Sequence, residues 1–408
     1  MTSFEEVLAM TPKALEEYVN LPELGGRMIV YEGPFTLRNG EEFYKIQGCF
    51  FYSFCEHINL FFEGQVLSSS GIELWRWEIS SESGWRGTAI VTQLKTGKGP
   101  ELIRGQIEYA YQGQEECRRW RWCYLNAPVL LGENVVYDGI LSKDRLTFHA
   151  GEYKIIIDNR PGYIQQKLHR SLSHICELNR MDGGTISKDD ALQEIRLFSS
   201  FFSFVAGCRH APFFIQGYEE QEAQFQWHGL GMDNSLTGVS SWKPDFKDLD
   251  LIPLWSAFRR RYYASTDCAE VLRTLVHWYL EANMNSGLLE GAYLLGFAGL
   301  ELASDVMVGK RRNNADRVQA FWDMLHLSSA LFPEDIASMR NGLMHYTKTH
   351  RLEYSSLRRE DKIIRLESLL QILELAILYW LNYEGHYSDR LNPGWRGTST
   401  RRVPWAGA

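Results

Sequence analysis

Arg119-Trp-Arg-Trp-Cys-Tyr124 alternates so that Trp120, Trp122 and Tyr124 fall on one side of the chain. A period of two predicts a β-strand with one buried face, because successive side chains of a strand point to opposite faces. Similar aromatic and β-branched runs, such as Ile72-Glu-Leu-Trp-Arg-Trp-Glu-Ile79, recur between residue 27 and about residue 158, separated by turn residues. We therefore predict an α+β protein whose residues 1–160 form an antiparallel β-rich domain, a sandwich or a barrel, preceded by a short helix near Phe4–Val19.

The pattern changes after Gly162. Helical periodicity predicts helices near Tyr163–Asn179 and Lys188–Cys208, the second with Ser187 as its N-cap. Aromatic runs follow between Pro212 and Pro253. Residues 161–253 are therefore predicted to form a mixed, partly helical linker region.

Residues 254–390 are predicted to be an all-helical bundle, because Pro333 is the only proline between Pro253 and Pro393. The last predicted helix, about Leu357 to Tyr383, carries an apolar seam at alternating steps of four and three, typical of helix-on-helix packing. Its members are Leu366, Leu370, Leu373, Ile377 and Trp380. Residues 391–408 are predicted to form an extended tail.

Composition and charge narrow the classes of function. The chain has 408 residues, 45% of them hydrophobic and 23% charged, as expected for a folded protein of several domains. Its net charge is -8, but residues 1–254 hold 24 Lys and Arg against 34 Asp and Glu, whereas residues 255–408 hold 19 against 17. A polyanion such as RNA is therefore expected to bind the helical half, if it binds at all.

The sequence also suggests a location. Two acids in MTSFEEVLAM argue against a secretory signal, which predicts a cytoplasmic protein with no membrane segment. Glu367 and Glu374 interrupt the most apolar run, Leu366 to Leu381, so this run is predicted to be a core helix. Seven cysteines and the spacing of the histidines give no ligand pattern for a metal, and no cofactor is predicted.

The segment Arg340-Asn-Gly-Leu-Met-His345 lies in the predicted bundle. Asn341 and His345 are four residues apart and share one helix face, with Arg340 about 100° away, so the three side chains can face one cleft. A neutral imidazole can take a proton from a ribose 2′-hydroxyl, and a guanidinium can stabilise the charge that develops on the phosphate. The alternative is a solvated helix face with local hydrogen bonds.

This segment, with the helix that contains Ala298-Gly-Leu-Glu-Leu-Ala303, resembles a HEPN domain, whose signature is an Arg, often followed by a polar residue, and a His four to six positions later. Tyr279-Leu-Glu-Ala-Asn283 and Leu289-Glu-Gly-Ala-Tyr-Leu294 are similar in particular to the HEPN domains of ApeA-type anti-phage proteins. The resemblance covers about residues 255–385.

The resemblance implies a metal-independent endoribonuclease that acts as a homodimer and leaves 2′,3′-cyclic phosphate and 5′-hydroxyl ends. It implies that Arg340 and His345 are the catalytic pair and that Asn341 orients RNA or the His. An acid on an earlier helix often braces the Arg in such bundles; Glu301 is the first candidate and Glu290 the second. It also implies anti-phage defence, with host RNA, such as tRNA, as substrate and a phage-derived trigger acting on the N-terminal domain.

Other cationic and aromatic residues are weaker candidates. Lys310, Arg311, Arg312 and Arg317 could bind phosphates near the cleft, or could simply be a solvated loop. The clusters Arg259–Tyr263 and Arg358-Arg359 rank below them. The tryptophans of the β-rich domain could stack on a sugar or a base, but core packing is the expected role; they are Trp75, Trp77, Trp85, Trp120 and Trp122.

Two further functions remain open at this point. One is a non-catalytic, dimeric HEPN-fold protein that binds a nucleotide or another ligand. The other is a carbohydrate-binding module on a helical scaffold.

Overall fold

The computed structural model describes most of the chain. The described residues are 4–22, 25–54, 58–69, 76–95, 99–160, 171–229, 240–244, 247–285, 288–309, 314–327, 340, 342–344, 355–392 and 399–407. The protein is of the α+β class, with a large antiparallel sheet in its N-terminal half and helices in its C-terminal half.

The chain divides into two compact units. The first, which we call the β-rich unit, comprises Met1–Arg196 and His210–Leu236. The second, the helical unit, comprises Leu197–Arg209 and Thr237–Ala408. The predicted domain boundaries at residues 160 and 253 stay predictions, but the strands described below show that the β-sheet continues beyond residue 160.

Among the described residues, thirteen strands form one antiparallel sheet in the order β3-β2-β1-β4-β5-β6-β15-β14-β8-β12-β11-β10-β9. A further pairing between β3 and β6 closes the first six strands of this order into a barrel. The strands are β1 Arg27–Asn39, β2 Glu42–Phe54, β3 Ile58–Ser69, β4 Arg76–Ser81, β5 Arg86–Lys95, β6 Leu102–Gly113, β7 Glu116–Cys117, β8 Arg119–Leu125, β9 Glu133–Tyr137, β10 Ile140–Ala150, β11 Tyr153–Asn159, β12 Leu172–Arg180, β13 Ile186–Ser187, β14 Phe213–Glu219, β15 Glu222–Gly229, β16 His386–Ser388 and β17 Thr400–Arg402. The short strands β7 and β13 pair with each other, as do β16 and β17.

Aromatic side chains fill the core of the β-rich unit. Trp120, Trp122 and Tyr124 of β8 are fully buried, as their alternation predicts. Trp77 and Trp85 are also buried, so the packing role expected for the tryptophans is confirmed for the four that the structure describes; Trp75 lies outside the described residues. These rings are therefore not an exposed stacking surface.

One helix prediction in this half is wrong, and a second helix is shorter than predicted. The segment predicted as a helix near Tyr163–Asn179 contains β12, which pairs with β8 and β11. Because β12 is covered on both faces, residues 173–178 are buried without interruption and show no alternation that would identify a strand. The first helix, α1, is Phe4–Met10 and does not reach Val19, since Pro12 cannot continue it.

The next helix, α2, spans Lys188–Ala206, which confirms the helix predicted near Lys188–Cys208. The Ser187 hydroxyl accepts a hydrogen bond from the backbone N–H of Asp190 at 3.2 Å, which is the expected N-cap. The aromatic runs after Pro212 form the β14–β15 hairpin, so they belong to the sheet.

The helical unit contains α3 Leu251–Tyr262, α4 Thr266–Met284, α5 Leu289–Val308, α6 Asn314–Met324 and α7 Arg359–Trp380. Arg340 and residues 342–344 are also helical. The N-cap of α4 is Ser265, whose hydroxyl accepts a hydrogen bond from the Cys268 N–H. All five predicted seam residues of α7 are buried, which confirms that Leu366–Leu381 is a core segment.

Within the described part of the chain, α5 is the one helix long and apolar enough to cross a membrane by length and composition. Core helices meet the same criterion, and α5 packs against α4 and α7, so it is weak evidence for a membrane. The cytoplasmic location stays a prediction. The described residues contain no group of three metal-binding side chains.

Candidate functional site

Helix α5 contains Phe297, the residue that Arg340 of the predicted catalytic segment contacts. Gly296 and Gly299 let α5 approach α7 closely, since a Cβ at these positions would lie 3.1 Å from Leu369 Cδ2 and 2.9 Å from Leu373 Cδ2. The half-buried Phe297 and Glu301 lie one helical turn apart and therefore share a face of α5.

Arg340 contacts that face. Its guanidinium carbon lies 5.7 Å from the centre of the Phe297 ring, within cation–π range. Arg340 and Leu343 are half-buried and Met344 is 56% exposed. Arg340 and residues 342–344 therefore lie at the surface of the helical unit, with the Arg340 guanidinium beside Phe297 on the face of α5 that also carries Glu301.

Several predicted site residues cannot be placed. Asn341, His345, Lys310, Arg311 and Arg312 lie outside the described residues; Arg317 belongs to α6, but its side chain is outside the described part. The second candidate brace, Glu290, is exposed in the first turn of α5. The pairing of Arg340 with His345 and the roles of these residues stay predictions.

The two lower-ranked arginine clusters have local partners. The Arg358 guanidinium donates to Asp361 in the first turn of its own helix, with Nε 3.1 Å from Oδ2. Arg261 donates to the Trp380 carbonyl at 2.7 Å and stacks on the Trp380 ring, while Arg259 stacks on Tyr263. These contacts favour structural roles, so neither cluster adds to the candidate site.

A buried charge network that the sequence analysis missed lies in the same unit. The Arg390 guanidinium is 2% exposed and donates to both carboxylate oxygens of Glu374, at 2.6 and 2.9 Å, and to Glu367 at 2.9 Å. It also donates to the Asn283 side-chain oxygen at 2.9 Å and to the Ser240 carbonyl at 3.0 Å. Burial disfavours the charge, but Glu374 and its neighbours hold the pKa of Arg390 well above its usual range.

This network is structural rather than catalytic. The Tyr279 hydroxyl donates to Glu374 at 2.6 Å, and burial followed by the Glu374 charge raises the pKa of Tyr279, so it stays protonated. Every nitrogen of the Arg390 guanidinium is engaged and the side chain is 2% exposed, so a substrate cannot reach it. The sequence does contain an indication of this network. Glu367 and Glu374 lie in an otherwise apolar helix, and a carboxylate that becomes buried there needs a cation as its partner.

A second cluster lies in a cleft of about 500 Å³ in the helical unit. His386 Nδ1 is 2.9 Å from Asp250 Oδ2, a pairing that orients the ring, and the lining also includes Arg402 and Glu384. The two carboxylates outweigh the single guanidinium, so the cleft lacks the positive charge that an RNA backbone requires. Asp250 and His386 lie 136 residues apart, and no sequence motif links them.

Two segments of the chain match known protein families. Residues 112–234 match the family described as "YopA central domain", and residues 314–401 match the family described as "YopA C-terminal domain". The first match spans β8 to β15, and the second spans Arg340 and α7.

One protein that is similar to the whole chain is the "SPbeta prophage-derived uncharacterized protein YopA" of Bacillus subtilis (strain 168). It is 22% identical over 444 residues, which cover 98% of this chain and 99% of the relative. No solved structure matches the chain. These similarities indicate shared domains and a relative of prophage origin, and they assign no activity.

Proposed function

We propose that the chain is a metal-independent endoribonuclease with a HEPN-type helical bundle, which cuts RNA in anti-phage defence. The observation that carries the proposal is the position of Arg340, at the surface of the helical unit and against the face of α5 that includes Glu301. A catalytic guanidinium must reach a phosphate, and a half-buried Arg on a surface turn can do so, whereas Arg390 cannot.

In the proposed mechanism, neutral His345 removes the proton of a ribose 2′-hydroxyl. The 2′-oxygen then attacks the adjacent phosphorus, and Arg340 stabilises the charge on the phosphorane oxygens. The bond from phosphorus to the 5′-oxygen breaks, and that oxygen takes up a proton. The products are a 2′,3′-cyclic phosphate and a 5′-hydroxyl. Glu301 is proposed to hold the Arg340 side chain in position, and Asn341 to orient the RNA.

Assembly and regulation form part of the proposal. Two copies are proposed to pair through their helical units so that both motifs face one cleft, with Lys310, Arg311, Arg312 and Arg317 near its edge. The substrate is proposed to be host RNA, such as tRNA. The β-rich unit is proposed to restrain the bundle until a phage-derived trigger binds.

The prophage origin of the Bacillus subtilis relative supports this context. A protein derived from a prophage and similar over nearly the whole chain is consistent with a role in conflict between phages and their hosts. The charge balance supports it too, since positive charge exceeds negative charge only in residues 255–408.

The test is to express the chain in bacteria, challenge the cells with phage and sequence the RNA 5′-hydroxyl ends. We expect new ends with the wild type, and none with Arg340→Ala or His345→Ala. Arg358→Ala is the matched control, because Arg358 is exposed and pairs within its own helix; it should cut like the wild type.

Two results would remove the proposal. One is equal cutting by all four proteins. The other is the absence of new ends from well-expressed wild type across a panel of phages, which would favour the non-catalytic, ligand-binding alternative.

A further inference from the structure

The segment that follows α1 pairs with the last strand of the large sheet. We call residues 11–20 the strap; their sequence is Thr11-Pro-Lys-Ala-Leu-Glu-Glu-Tyr-Val-Asn20. Strand β9 ends the sheet order, so one of its edges has no further strand beside it among the described residues. Lys13 forms a parallel bridge with Val136 at that edge. The Val136 N–H donates to the Pro12 carbonyl and its carbonyl accepts from the Ala14 N–H, both at 2.9 Å.

Three charged side chains of the sheet region, each at most 8% exposed, bind the main chain of the strap. Asp158 Oδ2 accepts from the Leu15 N–H at 2.8 Å. The Arg160 guanidinium donates to the Leu15 carbonyl at 2.9 Å, and the Arg145 guanidinium donates to the Lys13 carbonyl at 2.9 Å. These contacts recognise an extended backbone.

The side chains of the strap add sequence preference. Leu15 and Val19 are buried in the core cluster of the β-rich unit, and Glu17 between them forms an ion pair with Arg160. The Tyr18 hydroxyl donates to a backbone carbonyl of β14 at 3.1 Å. Main-chain hydrogen bonds at a sheet edge, combined with pockets for alternate side chains, are how many domains bind an extended peptide.

The surface that receives the strap is held together by its own contacts. Arg145 and Asp158 are register partners on β10 and β11, and the guanidinium donates to both carboxylate oxygens at 2.7 Å. The Arg160 guanidinium lies 4.6 Å from the centre of the Tyr137 ring and donates to the Tyr137 hydroxyl at 2.9 Å. The Asp158 carboxylate therefore keeps its cation if the strap leaves. A site preorganised in this way binds an incoming segment at a small ordering cost.

The strap itself is held less firmly than the strands around it. Apart from the bridge at Lys13, residues 12–20 belong to no helix or strand, and many of them are exposed: Pro12, Lys13, Glu16, Glu17 and Asn20. The end of the strap borders a cavity of about 210 Å³, which is also lined by β1 and the β14–β15 hairpin, so its packing there is incomplete. Segments with few buried apolar contacts open most readily.

We propose that this edge of the β-rich unit is a binding site for a polypeptide partner, and that the strap occupies the site until a segment of the partner replaces it. The partner segment is extended and has the chemistry of Leu15–Val19, with an apolar residue, an acid two positions later, and then an aromatic and an apolar residue. Asp158 accepts from a main-chain N–H and repels a phosphate, so a polypeptide fits the site and a polyanion does not. The inference does not rest on the proposed nuclease, because its test measures binding and not RNA ends.

The test uses the purified full chain and a fluorescently labelled synthetic peptide of residues 11–21, followed by fluorescence anisotropy. Glu17→Arg in the full chain places a cation against Arg160 and weakens the strap. The peptide should bind this variant about tenfold more tightly than the wild type, because the apparent affinity follows the fraction of open sites. Glu16→Arg is the matched control: it makes the same charge change at an exposed neighbouring residue and should bind like the wild type.

A reversible lock gives a second, independent comparison. Paired strands lie about 4.8 Å apart, within reach of a disulfide, so Lys13→Cys with Val136→Cys can fasten the strap to β9. The oxidised double variant should not bind the peptide, and reduction should restore binding, even if Glu17→Arg fails to fold. The proposal is overturned if no unlocked protein binds the peptide at millimolar concentration, if the oxidised and reduced forms bind equally, or if Glu17→Arg, when folded, binds no better than Glu16→Arg.

Discussion

At the scale of single residues, Arg390 joins buried polar groups from several segments of the helical unit, and we expect its loss to destabilise that unit. Replacing it with Ala leaves the buried Glu374 carboxylate without its cation, and breaking such a pair costs about 3–5 kcal/mol. We expect Arg390→Ala to lower the free energy of unfolding by that amount, or to prevent folding of the helical unit. Urea titration followed by circular dichroism measures the change.

Arg358→Ala is the control for this prediction. Its ion pair with Asp361 is exposed to solvent, and exposed pairs contribute at most about 1 kcal/mol. If the two substitutions change the urea midpoint equally, Arg390 does not have the structural role assigned to it.

The buried histidines His174 and His228 should make the free energy of unfolding depend on pH. Burial, followed for His174 by the nearby His210, lowers the pKa of His174 to about 3, and burial does the same for His228. Between about pH 6.5 and pH 3 the unfolded chain therefore binds more protons at these sites than the folded chain does. The stabilisation is complete above pH 6.5 and is lost as the pH falls toward 3, by up to about 1.4 kcal/mol per pH unit for each ring.

Urea midpoints measured at pH 7 and pH 5 check this prediction. In His228→Phe the loss of stability between these pH values should be smaller than in the wild type, because one titrating ring is gone. The exposed His326→Asn keeps both buried rings and should match the wild type; Asn also tolerates the positive φ at that position. An unchanged pH dependence in His228→Phe would contradict the prediction.

At the scale of elements, two glycines of α5 differ sharply in their surroundings. A Cβ at Gly299 would lie 2.9 Å from Leu373 Cδ2 of α7, whereas nothing lies within 4 Å of a Cβ at Gly291. We expect Gly299→Val to destabilise the protein by about 1–3 kcal/mol through overpacking. The same substitution at Gly291 should be neutral or slightly stabilising, since Val has the higher helix propensity. Thermal unfolding of both variants tests the difference; equal shifts would mean that α5 and α7 do not pack as described.

Elements with a clear period or a long apolar seam could be predicted from the sequence, and a short strand without a period could not. The alternation of Trp120, Trp122 and Tyr124 identified β8, and the spacing of its seam identified α7, although residues 369–378 are buried without interruption. β12 is buried on both faces, so its sequence shows no period and was assigned to a helix. Barrel closure by β3 and β6 depends on pairing between distant segments, and local patterns do not encode such pairing.

Among the candidate sites, only contiguous motifs could be recognised in the sequence. A contiguous motif such as Arg340–His345 is visible in the sequence, and the structure places Arg340 beside Phe297, four residues before the predicted brace Glu301. The Arg390 network combines residues that are distant along the chain, such as Ser240 and Glu374. The β-bulge at Phe214 depends on register, which the sequence alone does not give.

At the scale of the whole molecule, the two units differ in the chemistry that they offer. The β-rich unit packs aromatic rings into its core. The helical unit has Arg340 at its surface. The proposed division, in which the β-rich unit regulates and the helical unit cuts, would use this difference.

The proposed nuclease requires two copies, and this gives a quantitative test. If both motifs must face one phosphate, a mixture of wild type with His345→Ala forms active sites only where two wild-type copies pair. At equal expression, new 5′-hydroxyl ends should fall to about a quarter of the wild-type level, whereas a monomeric nuclease would retain about a half. Light scattering should give twice the chain mass of 47.2 kDa for wild type and variant alike. A linear dependence of cutting on the wild-type fraction would show that one chain suffices, and the shared cleft would then be wrong even if Arg340 and His345 are catalytic.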